Sequence, residues 1–152
     1  MTKDDLYQLI YISQARRPMA HDELMVIQGE AIARNSEVGV TGVLLYGGGK
    51  FMQLLEGPRE VLAELFGRIA LDMRHERTRL LHHGPTQTRL APSWSMGLAN
   101  ADRPGAAMSI ESLESCIRAY ASGRSTADPA TSLVHAFERM VHGFEGAQEA
   151  SA

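Results

Sequence analysis

The chain has 152 residues, of which 44% are hydrophobic and 22% charged, and its formal net charge is −3. This length and composition predict one soluble domain with its own core, and they exclude collagen-like, low-complexity and wholly disordered chains. The acidic balance and the few aromatic residues (four Tyr, four Phe and one Trp) argue against a nucleic-acid binder, which usually carries a basic stripe or several stacking rings. The single cysteine, Cys116, excludes an intrachain disulfide and fits a reducing compartment.

No stretch of the sequence has the pattern of a membrane span or of a secretory signal. The longest apolar run, residues 38–46, is interrupted by glycine and threonine, whereas a membrane helix needs about 20 apolar residues. The N-terminus lacks an apolar segment behind a basic start. We therefore expect a cytoplasmic protein that binds neither membrane nor nucleic acid.

Apolar periodicity predicts the order of strands and helices. The predicted elements are a strand at 6–13, a helix at 22–35, strands at 38–46 and 50–56, a helix that opens at 57–58 and carries Arg68 and Asp72, strands at 78–88 and 93–98, and helices at 109–121 and 129–144. Three glycines, Gly47 to Gly49, supply the positive φ that a hairpin between the second and third strands needs. Over residues 5–100 this order predicts an α+β, ferredoxin-like fold, with a five-stranded mixed sheet and two helices on one face.

The residues after 100 are predicted to form a separate region. Residues 101–108 are small and contain proline and glycine, which indicates a linker. The two helices within 109–146 have apolar stripes that need a surface to cover, and we expect them to cap the open face of the sheet. The stripe of the second includes Met140 and Val141. The tail at 147–152 is expected to fray.

Three features that suggest chemistry have simpler explanations. Gly47 to Gly49 lie in a hairpin without a following helix, so a phosphate cradle is disfavoured. His82 and His83 are adjacent on a predicted strand, so their imidazoles point to opposite faces and cannot share a metal ion with good geometry. Cys116 lies in mid-helix without a basic neighbour, which predicts a semi-buried, inert thiol. We therefore predict no metal site and no nucleophile.

Polar residues at apolar positions are harder to explain. Gln53 lies on an otherwise hydrophobic strand, where an unpaired amide costs about 1–3 kcal/mol; it could bond the backbone or Tyr11, whose own hydroxyl needs a partner. Asn35 ends the first predicted helix and could simply cap it. Arg68 and Asp72 have the i, i+4 spacing of a modest surface pair on the second helix. Singly, none of these residues identifies a function.

Together with their neighbours, these residues form a recognisable pattern. The segments, in chain order, are LIYIS at 9–13, Asn35, VTGVLLY at 40–46, FMQLLEG at 51–57, DMRH at 72–75 and WSM at 94–96. In order and spacing they resemble the BLUF family of blue-light sensors that use FAD. The resemblance implies a five-stranded sheet with two helices on one face, and a flavin ring between those helices.

The resemblance also implies roles for individual residues. Tyr11 and Gln53 are the photochemical pair: light drives electron and proton transfer from Tyr11 to the flavin, recombination follows, and Gln53 is left rotated or tautomerised with a stronger bond to the flavin carbonyl. The absorption band then moves slightly to the red without net redox chemistry. The implied flavin contacts are Tyr11, Ile27, Arg34, Asn35, Gln53, Arg68, Ile69, Asp72 and His75.

Some of these contacts are assigned to particular parts of the flavin. Ile27 and Ile69 would flank the ring, Arg68 and Asp72 would reach toward the ribityl-phosphate, and His75 would lie near the benzenoid end. Arg34 departs from the Asn or His of many members, and it could contact a flavin carbonyl, a phosphate or solvent. The family's switch pair on the last strand corresponds to Trp94 and Met96, which a spacing of two puts on one face of that strand.

The implied output is a changed surface that signals to a separate partner. Residues 108–146 are too short for a cyclase or phosphodiesterase domain, so we expect a sensor without its own enzyme activity. The partner could be a cyclic-di-nucleotide phosphodiesterase or a transcriptional regulator, and homo-oligomers are expected. FAD rests on the resemblance, with FMN or riboflavin as alternatives. Two other interpretations are a small flavin-dependent redox enzyme and a cofactor-free interaction module of ferredoxin-like fold.

Overall fold

The computed structural model describes residues 6–102 and 109–139. Its elements are β1 (Leu6–Ala15), α1 (His21–Val38), β2 (Thr41–Gly47), β3 (Lys50–Pro58), α2 (Arg59–Ala70), β4 (His75–Pro85), β5 (Gly97–Asn100), α3 (Ile110–Ala121) and α4 (helical at 129–139). The predicted linker from 103 onward, Met140, Val141 and the predicted tail lie outside the described residues.

The five strands form one mixed sheet in the order β4-β1-β3-β2-β5. Neighbouring strands are antiparallel, except that β5 runs parallel to β2. The predicted ferredoxin-like arrangement with one extra strand is therefore confirmed. The hairpin between β2 and β3 closes at the pair Gly47–Lys50, and Gly48 and Gly49 have φ values of 58° and 76°. Positive φ at both central residues is what a two-residue hairpin loop requires.

Side chains from both faces of the sheet are buried, because helices cover each face. On one face, the sheet packs against α1 and α2 around a cluster that includes Tyr11, Leu24 and Leu62. On the other, Ile10 and neighbouring strand residues pack against α3 and α4 in a second cluster that includes Phe137. The alternation of β1 between these two clusters explains why both of its faces are apolar in sequence.

Predicted boundaries are wrong at several elements: β2 begins at Thr41 rather than at residue 38, and β4 spans His75–Pro85 rather than 78–88. Two further differences are at the end of α1 and at the start of β5. α1 continues past Asn35 to Val38, because Gly39 adopts a left-handed φ of 74° and donates its N–H to the Asn35 carbonyl. β5 begins at Gly97 rather than at residue 93, and the Ser95 and Met96 carbonyls before it are bound by side chains of α1 instead of by a strand. Cys116 is exposed rather than semi-buried.

Within the described residues, no helix is long and apolar enough to cross a membrane. His82 and His83 lie on opposite faces of β4, as the alternation predicts: the His82 ring packs on Tyr120 of α3, and His83 Nδ1 lies 2.6 Å from the Tyr7 hydroxyl. Among the same residues, no group of three His, Cys, Asp or Glu could hold a metal ion.

A pair of glycine variants tests the packing of the sheet. Gly42 faces β3 so closely that an added Cβ would overlap the Leu54 carbonyl oxygen, whereas a Cβ at Gly29 on the exposed side of α1 meets nothing within 4 Å. We expect Gly42→Ala to lower the free energy of unfolding by about 3 kcal/mol or more. Gly29→Ala should raise it by about 0.5–1 kcal/mol, since alanine favours a helix.

Urea unfolding of both variants checks this prediction. Equal stabilities of Gly42→Ala and the wild type would contradict the close approach of β2 and β3.

Candidate functional site

A cleft opens between α1, α2 and the face of the sheet that these helices cover. The cavity has a volume of about 100 Å³ and is open to solvent at its mouth. The lining residues are Tyr11, Ile27, Glu30, Ala31, Arg34, Leu44, Phe51, Gln53, Arg68, Ile69, Asp72, Arg74 and His75. With the exception of Asn35, every residue expected to contact flavin is in this set. Asn35 is fully buried on α1.

Gln53 joins two side chains at the base of the cleft. Tyr11 on β1 and Gln53 on β3 are directly paired across the sheet and therefore share a face. The Tyr11 hydroxyl donates to Gln53 Oε1 at 2.5 Å, and Gln53 Nε2 donates to Met96 Sδ at 3.2 Å. All three side chains are buried. The amide thus accepts a strong bond on one side and donates to a weak thioether acceptor on the other.

The environment of Tyr11 keeps its phenol protonated. Burial raises the pKa of Tyr11 well above its ordinary value, and the negative charge of Asp72 raises it further, while Arg34 opposes both effects. The proton therefore stays on the Tyr11 oxygen in the resting protein and forms the bond to Gln53.

His75 is held between β1 and the end of α2. Its Nε2 lies 2.5 Å from the Ile69 carbonyl oxygen, and its Nδ1 lies 2.6 Å from the Ser13 hydroxyl. A carbonyl only accepts, so Nε2 carries a proton, and in the neutral ring Nδ1 accepts from Ser13. The imidazole consequently fixes one wall of the cleft beside Tyr11, whose ring centroid is 6.3 Å away.

Side chains of α1 hold the segment that precedes β5. Asn35 Nδ2 donates to the Ser95 carbonyl at 2.9 Å, and Gln28 Nε2 donates to the Met96 carbonyl at 3.0 Å. The Trp94 carbonyl accepts from the backbone N–H of Gly42 at 3.0 Å. Residues 94–96, which we call the switch segment, are therefore fixed by bonds to α1 and β2 rather than by strand pairing.

The prediction that Trp94 and Met96 share one face of a strand is wrong. Met96 is buried on the cleft side of the sheet, whereas Trp94 packs on the opposite side against Phe137 of α4, with ring centroids 4.9 Å apart. The segment is not a strand, so the alternation rule does not apply to it. Its two ends thus contact the two different cores.

The charged mouth of the cleft also differs from prediction. α2 ends at Ala70, so Asp72 lies beyond the helix and does not pair with Arg68. Arg74 instead contacts Asp72 at 2.6 Å and Glu30 of α1 at 3.0 Å, which links the two sides of the mouth. Arg68 pairs with Glu64 on the exposed side of α2.

Two buried polar atoms beside the cleft have no partner within the described residues. They are Nε of Arg34, a donor, and Oδ1 of Asn35, an acceptor. Each unpaired buried group costs about 1–3 kcal/mol. Such neighbouring orphans are typical of a site that completes its hydrogen bonds with a ligand.

Comparison with known proteins agrees with this geometry. A sequence model of the BLUF family, described as sensors of blue-light using FAD, matches residues 6–97. The chain belongs to the BLUF family. It is 41% identical over 98 residues, 64% of its length, to photoactivated adenylate cyclase subunit beta-like protein FB of Euglena gracilis, of which those residues are 11%. The chain therefore spans about a tenth of that relative.

Solved structures are similar in the same region. The dark-state structure of the BLUF protein BlrB has 30% identity and a TM-score of 0.65, and the match covers 80% of this chain and 99% of BlrB. The Klebsiella pneumoniae BlrP1 manganese/cy-diGMP complex has 31% identity and a TM-score of 0.61, over 74% of this chain and 28% of BlrP1. BLUF domains are described as sensors of blue light that use FAD, and this chain has their fold.

The unpaired atoms suit a flavin. The pyrimidine edge of the ring presents a carbonyl, an N–H and a second carbonyl. Arg34 Nε and the amide of Gln53 are donors, and Asn35 Oδ1 is an acceptor, so these three residues would supply the complementary set. Ile27 and Ile69 line the cleft from its two helices, as expected for groups that flank an apolar ring.

Sequence reasoning missed several residues of this BLUF cleft. They are Glu30, Ala31, Leu44, Phe51 and Arg74. Period-two alternation on β3 puts Phe51 on the face of Gln53, and helical spacing from Ile27 puts Glu30 and Ala31 beside it. Those signals were available in the sequence. The double contact of Arg74 depends on a bond across the cleft that no local pattern indicates.

The Asp72–Arg74 pair predicts a pH dependence of stability. The hydrogen bond from Arg74 lowers the pKa of Asp72 to about 2, below the value near 3.9 expected in the unfolded chain. A group whose pKa is lower when folded stabilises the fold above its unfolded pKa, and this contribution disappears as the pH falls toward 2. Asp72→Asn should therefore lose less stability than the wild type between pH 4 and pH 2.

Urea unfolding across this pH range measures the effect, with all proteins in the same flavin-loaded state. Arg74→Gln should flatten the same acid loss, because it removes the other half of the pair. Parallel acid curves for the wild type and both variants would exclude the proposed linkage.

Proposed function

We propose that this chain is an FAD-binding blue-light switch that uses Tyr11 and Gln53 as its photochemical pair and acts on a separate partner. The observation that carries this proposal is the position of Gln53, bonded at once to Tyr11 and to Met96. One change at this amide alters a bond on the cleft side and a bond to the switch segment together. The family description and the cleft support FAD; FMN and riboflavin share the same ring.

The bound flavin supplies blue-light absorption and the electron acceptor. Tyr11 is the donor, because its phenol lies in the cleft and its hydroxyl is already bonded to an acceptor, Gln53 Oε1. Loss of an electron makes the phenol strongly acidic, and the 2.5 Å bond gives its proton a direct path. Recombination returns electron and proton to Tyr11, and Gln53 is left in a second hydrogen-bonded arrangement.

The same amide connects the cleft to the opposite face of the sheet. If Gln53 turns its NH₂ toward the ring, Met96 Sδ loses its donor, and one of the bonds that hold the switch segment is removed. Trp94, two residues away, contacts Phe137, and a Cβ on Gly97 would lie only 2.6 Å from the Phe137 ring. Such close packing transmits small shifts instead of absorbing them. α4 is therefore our candidate output element.

The names of similar proteins, and not a contact in this structure, support the choice of a partner protein. One relative is named as a photoactivated adenylate cyclase subunit, and BlrP1 was solved with cy-diGMP. We propose that this chain, a sensor without enzyme activity of its own, controls a separate cyclic-nucleotide enzyme, with a transcriptional regulator as the alternative. A cytoplasmic location and a homo-oligomer are parts of the same proposal.

Absorption spectra before and after blue light test the photochemistry. The wild type should shift reversibly to the red, and Tyr11→Phe and Gln53→Leu should each bind flavin without the shift, because each breaks the bond between the pair. Tyr7→Phe is the matched control, since the Tyr7 hydroxyl bonds His83 outside the cleft. It should shift like the wild type.

The same experiment separates the alternatives. A colourless wild type would favour a cofactor-free module, and bleaching without a shift would favour a redox enzyme. A normal photocycle in Tyr11→Phe or Gln53→Leu would refute the proposed pair.

A conservative variant of α4 tests the output route. Phe137→Leu keeps an apolar side chain but removes the ring contact with Trp94, so we expect a normal red shift and a loss of light-dependent hydrogen exchange in residues 129–139. Leu113→Met, at a buried position of α3 in the same core, is the control and should retain the light response.

Partner capture should differ between light and dark in the wild type and in Leu113→Met, and this difference should be lost in Phe137→Leu. Unchanged light-dependent exchange in Phe137→Leu would show that Trp94 and Phe137 do not carry the signal.

A further inference from the structure

Arg34 is a cleft cation without a carboxylate of its own. Its side chain lines the cleft, and it makes no ion pair with any residue in the ranges 6–102 and 109–139. Its Nε is buried without a hydrogen-bond partner. A buried guanidinium donor normally has an acceptor. The position is therefore suited to a ligand that has a hydrogen-bond acceptor and is stabilised by a nearby positive charge.

The other charges of the cleft are already matched. Both lining carboxylates are bound by Arg74, Glu30 at 3.0 Å and Asp72 at 2.6 Å. Arg68 is paired with Glu64 at 2.8 Å, and its side chain is 68% exposed. Arg34 is thus the cleft cation whose charge remains available to a bound ring.

The charge of Arg34 also reaches the photochemical pair. Its positive charge acts to lower the pKa of Tyr11, against the larger opposing effects of burial and of Asp72. Such an effect means that the guanidinium lies near the phenol, and both groups line the same cleft. A ring bound by Tyr11 and Gln53 would lie within reach of the same charge.

We propose that Arg34 raises the reduction potential of the bound flavin by stabilising the negative charge that the ring gains on reduction. This inference rests on the proposed function, because it requires flavin in this cleft. Charged groups near the ring nitrogens are known to change the electronic properties of a flavin. A guanidinium does not lose its proton in proteins, so the effect is present at every pH at which the protein folds. Arg34 is on this basis a determinant of how readily Tyr11 can pass an electron to the ring.

Two variants separate the charge of Arg34 from its hydrogen bond. Arg34→Gln keeps an amide donor and removes the charge, and Arg34→Lys keeps the charge. The flavin-loaded proteins are equilibrated in the dark with a reference dye, and the midpoint potential is read from the spectra. In Arg34→Gln we expect the preference for reduced over oxidised flavin to fall about tenfold, which is about 30 mV for a two-electron couple.

Arg34→Lys should retain the potential of the wild type. Arg17→Gln is the matched control: it removes a cation that is 70% exposed, paired with Glu23 and outside the cleft lining, and it should leave the potential unchanged. If Arg34→Gln does not fold, Arg34→Met, of similar length, provides the uncharged protein.

An unchanged potential in the uncharged variant would overturn the proposal. So would an equal loss of affinity for oxidised and reduced flavin, since the charge would then serve binding alone. The proposed function is judged separately, by the red shift of the wild type. A wild type that binds flavin without a red shift would refute the switch and still allow the potentials to be compared.

Discussion

A primary amide buried on a strand is the constraint on which the rest of this structure depends. Gln53 is 4% exposed between apolar neighbours, and its two ends satisfy partners of very different strength, a phenol and a thioether. The strong bond holds Tyr11 in place. The bond to Met96 is weak, so little free energy is needed to break it. An amide that rotates exchanges its donor and its acceptor, so under the proposed function Gln53 would have a second arrangement when a ligand offers another acceptor. A switch needs such a bistable element.

The fold determines how this amide is connected to the two faces of the sheet. Gln53 lies in the centre of a sheet with helices on both faces, so a change on the cleft side has no short path through the strands to α3 and α4. Under the proposed function, the switch segment would supply that path at the sheet's edge. Met96 belongs to one core and Trp94 to the other, and no strand ladder holds the residues between them. Breaking side-chain bonds there costs less than breaking sheet pairing.

Local patterns in the sequence predicted the strands, the helices and the polar anomalies, because periodicity and burial are properties of short segments. Gln53 and Tyr11 were found in this way. The errors arise where a residue that is distant in sequence determines the local structure. α1 passes Asn35 because Gly39 ends it, and Asn35 then donates to the carbonyl of Ser95, sixty residues away, in a segment that does not pair as a strand. The predicted pair of Arg68 and Asp72 failed because the helix ends between them.

The segment before β5 is anchored at both ends, so under the proposed function a small change at Met96 would act over a short length of chain. Upstream, the buried carboxylate of Glu56 accepts the backbone N–H groups of Leu90 and Ala91 at 2.8–3.0 Å. Downstream, β5 begins at Gly97, paired with β2. Both anchors belong to the sheet, so a displacement of Met96 cannot be dissipated along the chain. It must be taken up within residues 92–96, and the side chain there that reaches the other core is Trp94.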